Sequence, residues 1–256
     1  MIKIFNIFLN KFKFSTPAQK GFQKSKVNFR SIGKGVIHNP INVKYGKDNG
    51  ILLTEKLSPA SMKIVNADKI NTIVKDMNEK ELGFYEYYID WQDRTIKKGN
   101  IMVNCEEQRK GLGEILRLSS LIEFRKNNLN KINIFAAAKA IPFHIKYKFR
   151  PNFENKQEIL NNLQEIQENT LAIEYFRRRA KKLARSIQLK PNESIDKKEL
   201  KKINQFFYAF IKQHLFNWQD SRLKFGIPME LTKETVNGAA DFFNRLFEKH
   251  GIDYRL

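Results

Sequence analysis

Cysteine is almost absent from this chain of 256 residues: Cys105 stands alone, which excludes an internal disulfide and any cysteine-rich zinc site and agrees with a reducing, cytoplasmic setting. The four histidines are scattered without metal-ligand spacing, so no metal is expected. Acid is scarce as well. Against 47 Lys and Arg there are 27 Asp and Glu, a formal net charge of +20 that attracts nucleic acid, phosphate groups, acidic lipid or acidic protein without choosing among them. No apolar run is long enough to span a bilayer; the opening Met1–Asn10 is interrupted by Lys3 and lacks a small-residue cleavage site. Internal repeats and low-complexity runs are missing too. What the chain does hold is apolar residues, 41% with 21 Phe, ample for one large domain or for a catalytic domain with an addition.

The basic excess is uneven. In residues 1–50 ten Lys and Arg face one acid, Asp48, and this segment reads as a flexible basic arm, with a targeting or membrane-surface segment as the alternative. Ile51–Leu57 reads as a strand. Ser58-Pro59 then resembles a helix start, and Met62, Val65, Ile70, Ile73, Val74 and Met77 recur at helical spacing, so a helix is expected to about Met77. Strands follow over Leu82–Trp91 and Ile101–Cys105, with a turn at Gln92–Arg94 between them. A helix from Gly111 to about Lys126 places Ile115, Leu116, Leu118, Ser119 and Ile122 inward and leaves Glu114, Arg117 and Arg125 wet. Lys131–Ala137 returns as a strand, parallel or nearly so to the one before the helix. Beyond Phe153 two long helices are expected, about Lys156–Leu189 and Lys197–Trp218, broken at Lys190–Ser194 and paired as a hairpin. The end reads as a strand at Ile227–Leu231 and a capped helix from Thr232 to His250. The organisation expected is thus an arm (1–50), a core (51–153), a helical hairpin (154–225) and a closing strand and helix (226–256).

Chemistry concentrates at Gln108-Arg109-Lys110-Gly111-Leu112-Gly113, between a strand and a helix. Glycines there let the backbone turn sharply and aim successive N–H groups at one anion, while the helix dipole, Arg109 and Lys110 add attraction. Taken alone, two glycines starting a helix are more often just a turn. The segment, however, resembles the GNAT N-acyltransferase pattern Gln/Arg-x-x-Gly-x-Gly/Ala, and Ala140-Ile-Pro-Phe143-His144-Ile-Lys146-Tyr-Lys148-Phe149 resembles the second signature of that family, Ala-x-x-Phe-Tyr-x-Lys-x-Gly-Phe. The similarity covers about residues 82–153.

This resemblance implies an α/β fold with a mixed, splayed β-sheet flanked by helices, here with a helical C-terminal addition. It implies an N-acyltransferase that moves an acetyl or other acyl group from acetyl-CoA directly to an amine on a protein or small molecule. Pyrophosphate would lie on the amides of Gln108, Arg109, Lys110, Gly111, Leu112 and Gly113, and pantetheine along Ile101, Met102 and Val103. His144 falls where relatives carry a tyrosine that protonates the departing thiolate, a task an imidazolium can perform; a polar residue on an amphipathic helix is the alternative. Ala137 replaces a CoA-contacting asparagine, and Lys148 the glycine of the terminal turn. Glu106 and Glu107 are the nearest candidates for a general base, against a reading as solvated acids. Cys105, on an apolar strand, is expected to be a packed thiol.

Arg177–Arg185 carries six cations on a helix whose Leu171, Phe176, Ala180, Leu183, Ala184 and Ile187 form a buried stripe. Its outer face is either a solvated charge run or a surface for an anionic macromolecule, RNA or DNA included. That surface supports the competing functional reading, a nucleic-acid- or partner-binding protein with a GNAT-like fold and no turnover. Phe206, Phe207, Tyr208, Phe210 and Phe216 have helical spacing and fit a core.

Overall fold

The computed structural model describes residues 36–57, 67–169, 172–189, 194–215 and 226–256. Its frame is one mixed sheet in the order β1-β2-β3-β4-β5-β6-β8-β7. The first five strands, β1 (Val36–Tyr45), β2 (Asp48–Leu57), β3 (Ala67–Asp76), β4 (Glu81–Asp90) and β5 (Thr95–Val103), form an antiparallel meander. From β5 the chain passes through the helix α1 (Leu112–Lys126) to β6 (Lys131–Ala136), which runs parallel to β5. β7 (Arg150–Pro151) and β8 (Ile227–Thr232) close the far edge, β8 lying antiparallel between β6 and β7.

The β5–β6 pairing positions the site. Only Thr95 and Ile96 face partners on β6, Lys131 and Ile132, so the two strands part for the rest of their length. Asn104 N–H donates to Leu82 O (3.0 Å). Because backbone groups alternate sides along a strand, those of Met102 also face β4, and those of Ile101 and Val103 face the gap. The α/β class and the splayed sheet therefore agree with expectation.

Helices α2 (Ile141–Lys146), α3 (Lys156–Glu168), α4 (Glu174–Gln188), α5 (Lys197–His214), α6 (Lys233–Gly238) and α7 (Ala240–Lys249) complete the described elements. α1 packs on β3, β4 and β5 and touches α7, and it buries nearly every side chain it has. Glu114 and Arg117, expected to be wet, are 3% and 1% exposed.

Several other expectations change. Residues 36–50 belong to the hairpin of β1 and β2, with Val43 and Tyr45 buried, so the arm reading does not extend over them. Residues 1–35 lie outside the described residues. The helix expected up to Met77 is a strand where it is described, because the inward set of β3 is Asp68, Ile70, Thr72 and Val74; polar residues on the buried face disguise a period of two. Its expected start, Ser58-Pro59, lies outside the described residues. β5 begins at Thr95 and ends at Val103, so Cys105 has left the sheet for a 3-10 turn (Cys105–Glu107), where it is exposed and not packed.

The long helix expected from Lys156 is two, because Asn169 turns extended after α3. Leu171, the Lys190–Glu193 part of the breaker, and Phe216 to Trp218 lie outside the described residues. Phe206, Phe207 and Phe210 are buried as expected, and Tyr208 sits at the surface beneath Arg150 and Lys212. Thr232 caps the last helical stretch, accepting from Thr235 N–H (3.3 Å), but the stretch breaks at Ala239 into α6 and α7.

Candidate active site

The turn before α1 is built by its backbone. Gly111 has φ of 93°, in the left-handed region, and its carbonyl accepts from Glu114 and Ile115 N–H groups (3.0 and 3.1 Å) to start the helix. Arg109 also has positive φ (69°). Among the described residues the N–H groups of Arg109, Gly111, Leu112 and Gly113 meet no acceptor. The whole Gln108–Gly113 turn, at the positive end of α1, lines a cavity of about 590 Å³ together with Val103 and Phe143. Five cationic side chains also line it, Lys44, Arg109, Lys110, Lys146 and Lys249, against the carboxylates of Glu107 and Glu114. Such a lining suits a multiply charged anion.

Glu114 organises the wall. Its carboxylate receives Lys249 Nζ (2.6 Å), Lys146 Nζ (3.2 Å), His250 Nε2 (2.6 Å) and the Tyr147 hydroxyl. Burial opposes its charge, but the bonds from His250, Lys249 and Tyr147 outweigh burial and hold the carboxyl far below the usual carboxylate range. His250 Nδ1 lies 2.7 Å from the Lys44 carbonyl, so both ring nitrogens face oxygen atoms. Lys44 N–H returns a bond to the His250 carbonyl (2.8 Å), which ties the end of α7 to β1. For Tyr147, burial and the Glu114 carboxylate push the hydroxyl well above its ordinary value.

The expected residues fall out unequally. Gln108 to Gly113 and Val103 meet at one cavity, and Ile101 and Met102 continue along the same strand where it has parted from β6, although Met102 turns its backbone to β4 and exposes its side chain. Glu107 lines the cavity with its carboxylate engaged by Lys110 (2.8 Å), whereas Glu106 is 85% exposed in its side chain and reaches only Lys80, at 4.0 Å. Glu106 is a solvated acid in this geometry.

His144 is 8% exposed, packed edge-on against Phe143 and Phe149, and its Nδ1 is buried without a partner. Burial first, and then the charge of Arg117, lower its pKa to about 2, so the ring is neutral and the imidazolium donor expected from sequence is not what this position holds. Beside it lies Arg117, fully buried. Its guanidinium stacks on Tyr85 and Phe149, at 4.9 and 4.8 Å from their ring centres, and donates to the Tyr85 hydroxyl (2.8 Å). At Lys148 the backbone has φ of 68°, so the glycine of the pattern is replaced by lysine without changing the turn, and Lys148 Nζ sits 4.5 Å from the centre of the Phe242 ring.

Sequence reasoning missed Lys44, Glu114, Arg117, Tyr147, Lys249 and His250. Only Glu114 carried a signal, an acid in the first turn of a helix that follows a basic turn.

No protein-family model and no curated protein matches the chain. Among solved structures it is similar to a dodecameric spermidine N-acetyltransferase from Vibrio cholerae (24% identity, TM-score 0.32, over 35% of this chain and 55% of that one). The same enzyme in complex with CoA and spermine gives 24% identity and a TM-score of 0.31, over 34% and 53% of the two chains. The chain thus spans about half the length of the solved structures it matches. Over so short a span the likeness carries no functional weight, and the reading below rests on the residues themselves.

Proposed function

We propose that the protein is an N-acyltransferase that takes an acyl group from acetyl-CoA or another acyl-CoA and delivers it to an amine. The observation that carries this reading is the glycine turn Gln108–Gly113, with N–H groups that meet no acceptor at Arg109, Gly111, Leu112 and Gly113, lining a cation-rich cavity beside the length of β5 that has no partner on β6. A pyrophosphate needs the first, and an extended pantetheine amide arm needs the second. When bound, acyl-CoA supplies the activated acyl group, which passes to the amine nitrogen as the thiol departs. The chain contributes placement: the turn and Lys110 hold the phosphates, Ile101 and Val103 offer backbone donors and acceptors in the gap, and alignment supplies much of the rate. His144 serves packing in this reading, and protons leave and enter through solvent. The acceptor class remains an amine on a small molecule or a protein. Among the described residues no helix is long and apolar enough to cross a membrane.

Gly113 gives a clean test, because a Cβ there meets only ordinary contacts, Phe143 at 3.6 Å and Val103 at 4.0 Å. Gly113→Asp should fold and, by placing a carboxylate at the phosphate amides, weaken acetyl-CoA binding at least tenfold in calorimetry, an effect of roughly 1.4 kcal/mol or more. Transfer from labelled acetyl-CoA to separate small-amine, protein and RNA pools reports turnover. Failure of the wild type to bind CoA or acetyl-CoA at millimolar concentration would sink the proposal.

A further inference from the structure

Apart from the acyl-CoA cavity, the strongest electrostatic feature lies on α4 and α5. The inward stripe of α4, Phe176, Ala180, Ala184 and Ile187, is buried, and Phe176 meets Phe206 and Phe210 of α5 at ring-centre distances of 5.8 and 5.5 Å. This packing forces the cationic side of α4 outward. Arg177 and Arg178 share Glu174 (3.3 and 2.8 Å), but Arg179, Lys181, Lys182 and Arg185 have no carboxylate within ion-pair distance among the described residues.

Between the two helices runs a groove of about 430 Å³, with Arg179 and Lys182 on one wall and Lys198 and Lys202 of α5 on the other. The acids of the groove are already engaged by the chain: Asp196 caps α5 by accepting from Glu199 N–H (2.8 Å), and Glu199 accepts from Ser186 Oγ (3.1 Å). Four cations therefore face one another across a trough that holds two carboxylates, neither of them within ion-pair distance of these cations among the described residues, and the lining stays net positive. Along α4 cations recur about once per turn, a repeat of about 5.4 Å that can follow successive phosphates of one strand. Tyr175, one turn before Arg179 on the same side, is 61% exposed and offers a ring for a base to stack on.

We propose that the α4–α5 groove binds single-stranded nucleic acid, with its cations on the phosphates and Tyr175 under a base. A trough recesses its charge between two helices, which suits a single threaded strand better than a flat headgroup layer or a broad duplex. This inference does not depend on the acyl-transfer reading. If both hold, the groove brings a polynucleotide, or a protein assembled on one, close to an acylating site.

The test uses the full chain with fluorescently labelled oligo(U) RNA and oligo(dT) DNA, measured by anisotropy across a salt series. Poly-glutamate and phosphatidylserine vesicles are parallel ligands. The wild type should bind both oligonucleotides more tightly than duplex, poly-glutamate or vesicles, with a steep salt dependence. Arg179→Gln, Lys182→Gln, Lys198→Gln and Lys202→Gln together should weaken oligonucleotide binding at least tenfold and flatten the plot of log K against log salt by about 3, at roughly 0.7 per lost phosphate contact. Tyr175→Ala should cost about fivefold or more without changing that slope. An unchanged melting temperature shows that the variants fold, and unchanged acetyl-CoA affinity separates this groove from the other cavity. Equal RNA and DNA affinities mean that the backbone is read; a preference for RNA adds a hydroxyl contact. Oligonucleotide binding that survives the fourfold variant with the same slope overturns the proposal, as does tighter binding to duplex, poly-glutamate or vesicles.

Discussion

Adding a single methyl group at Gly111 tests whether the turn and the C-terminal histidine are one structure. A Cβ there lies 2.9 Å from His250 Cε1, closer than real contacts allow, on a backbone with φ of 93°. The left-handed conformation alone costs a non-glycine residue about 1–2 kcal/mol. The ring cannot move aside freely, since its nitrogens are held at 2.6 Å by Glu114 and 2.7 Å by the Lys44 carbonyl, and losing the charged bond costs about 1.5–3 kcal/mol more. Gly111→Ala should therefore destabilise the protein by roughly 2.5–5 kcal/mol. With His250→Ala already in place the methyl meets no ring, and the same substitution should cost only the backbone share, about 1–2 kcal/mol. Guanidinium unfolding of the four proteins gives the coupling energy, expected at about 1.5–3 kcal/mol. Equal costs in both backgrounds would refute the contact and, with it, the linkage of α7 to the turn.

Three other expectations follow from particular contacts. His144 has a lowered folded-state pKa, so the unfolded chain takes up a proton first and stability falls as pH drops below the ordinary histidine value of about 6.5. His144→Phe should remove a slope of up to about 1.4 kcal/mol per pH unit between pH 6.5 and 5, measured by denaturation at each pH; matching slopes in variant and wild type would mean that the ring is not buried neutral. Lys148→Gly relieves a left-handed backbone worth about 1–2 kcal/mol and gives up the contact with Phe242, about 0.5–1 kcal/mol, so a small rise in thermal stability is expected, and a fall would show that the ring contact dominates. Deleting residues 1–45 removes buried Val43 and Tyr45 and both hydrogen bonds between Lys44 and His250, and should cost several kcal/mol at about 1.5–3 per buried side chain; cooperative unfolding at the wild-type midpoint would contradict the placement of β1.

How much of this was legible depended on how cleanly polar and apolar residues separate. The unit from β5 through α1 to β6 was readable because glycines mark its turn and α1 is apolar along most of its length. In the meander before it β2 and β4 were read as strands, but β3 was not, because Asp68 and Thr72 point inward. Asp68 can do so because Lys56 Nζ on β2 and Trp91 Nε1 in the turn after β4 both reach it at 2.6 Å, partners that no local pattern connects. Ile70, Ile73 and Val74 then imitate a helical stripe although only Ile70 and Val74 share the inward face. Inside the site the limit was sequence distance. The Gln108–Gly113 turn is local, but Lys44 and His250 lie 206 residues apart, and their bond depends on the sheet and α7 being folded together.

That distance gives Glu114 its meaning. A carboxylate among the cations of this cavity looks misplaced if the cavity is judged by net attraction alone. Yet Lys146 and Lys249 are more than half exposed, and without Glu114 their mutual repulsion would drive both toward solvent and leave His250 Nε2 buried with no partner. One shared carboxylate, kept ionised by the bonds it receives, fixes both lysines and the His250 ring along a single wall and still leaves the lining positive. The wall then meets an incoming anion with its donors already in position, so less ordering is required on binding than three free side chains would need. On this argument the tail beyond β8 is part of the anion site: without α7 the turn would keep its amides, but Glu114 would be left with Lys146 and Tyr147 alone.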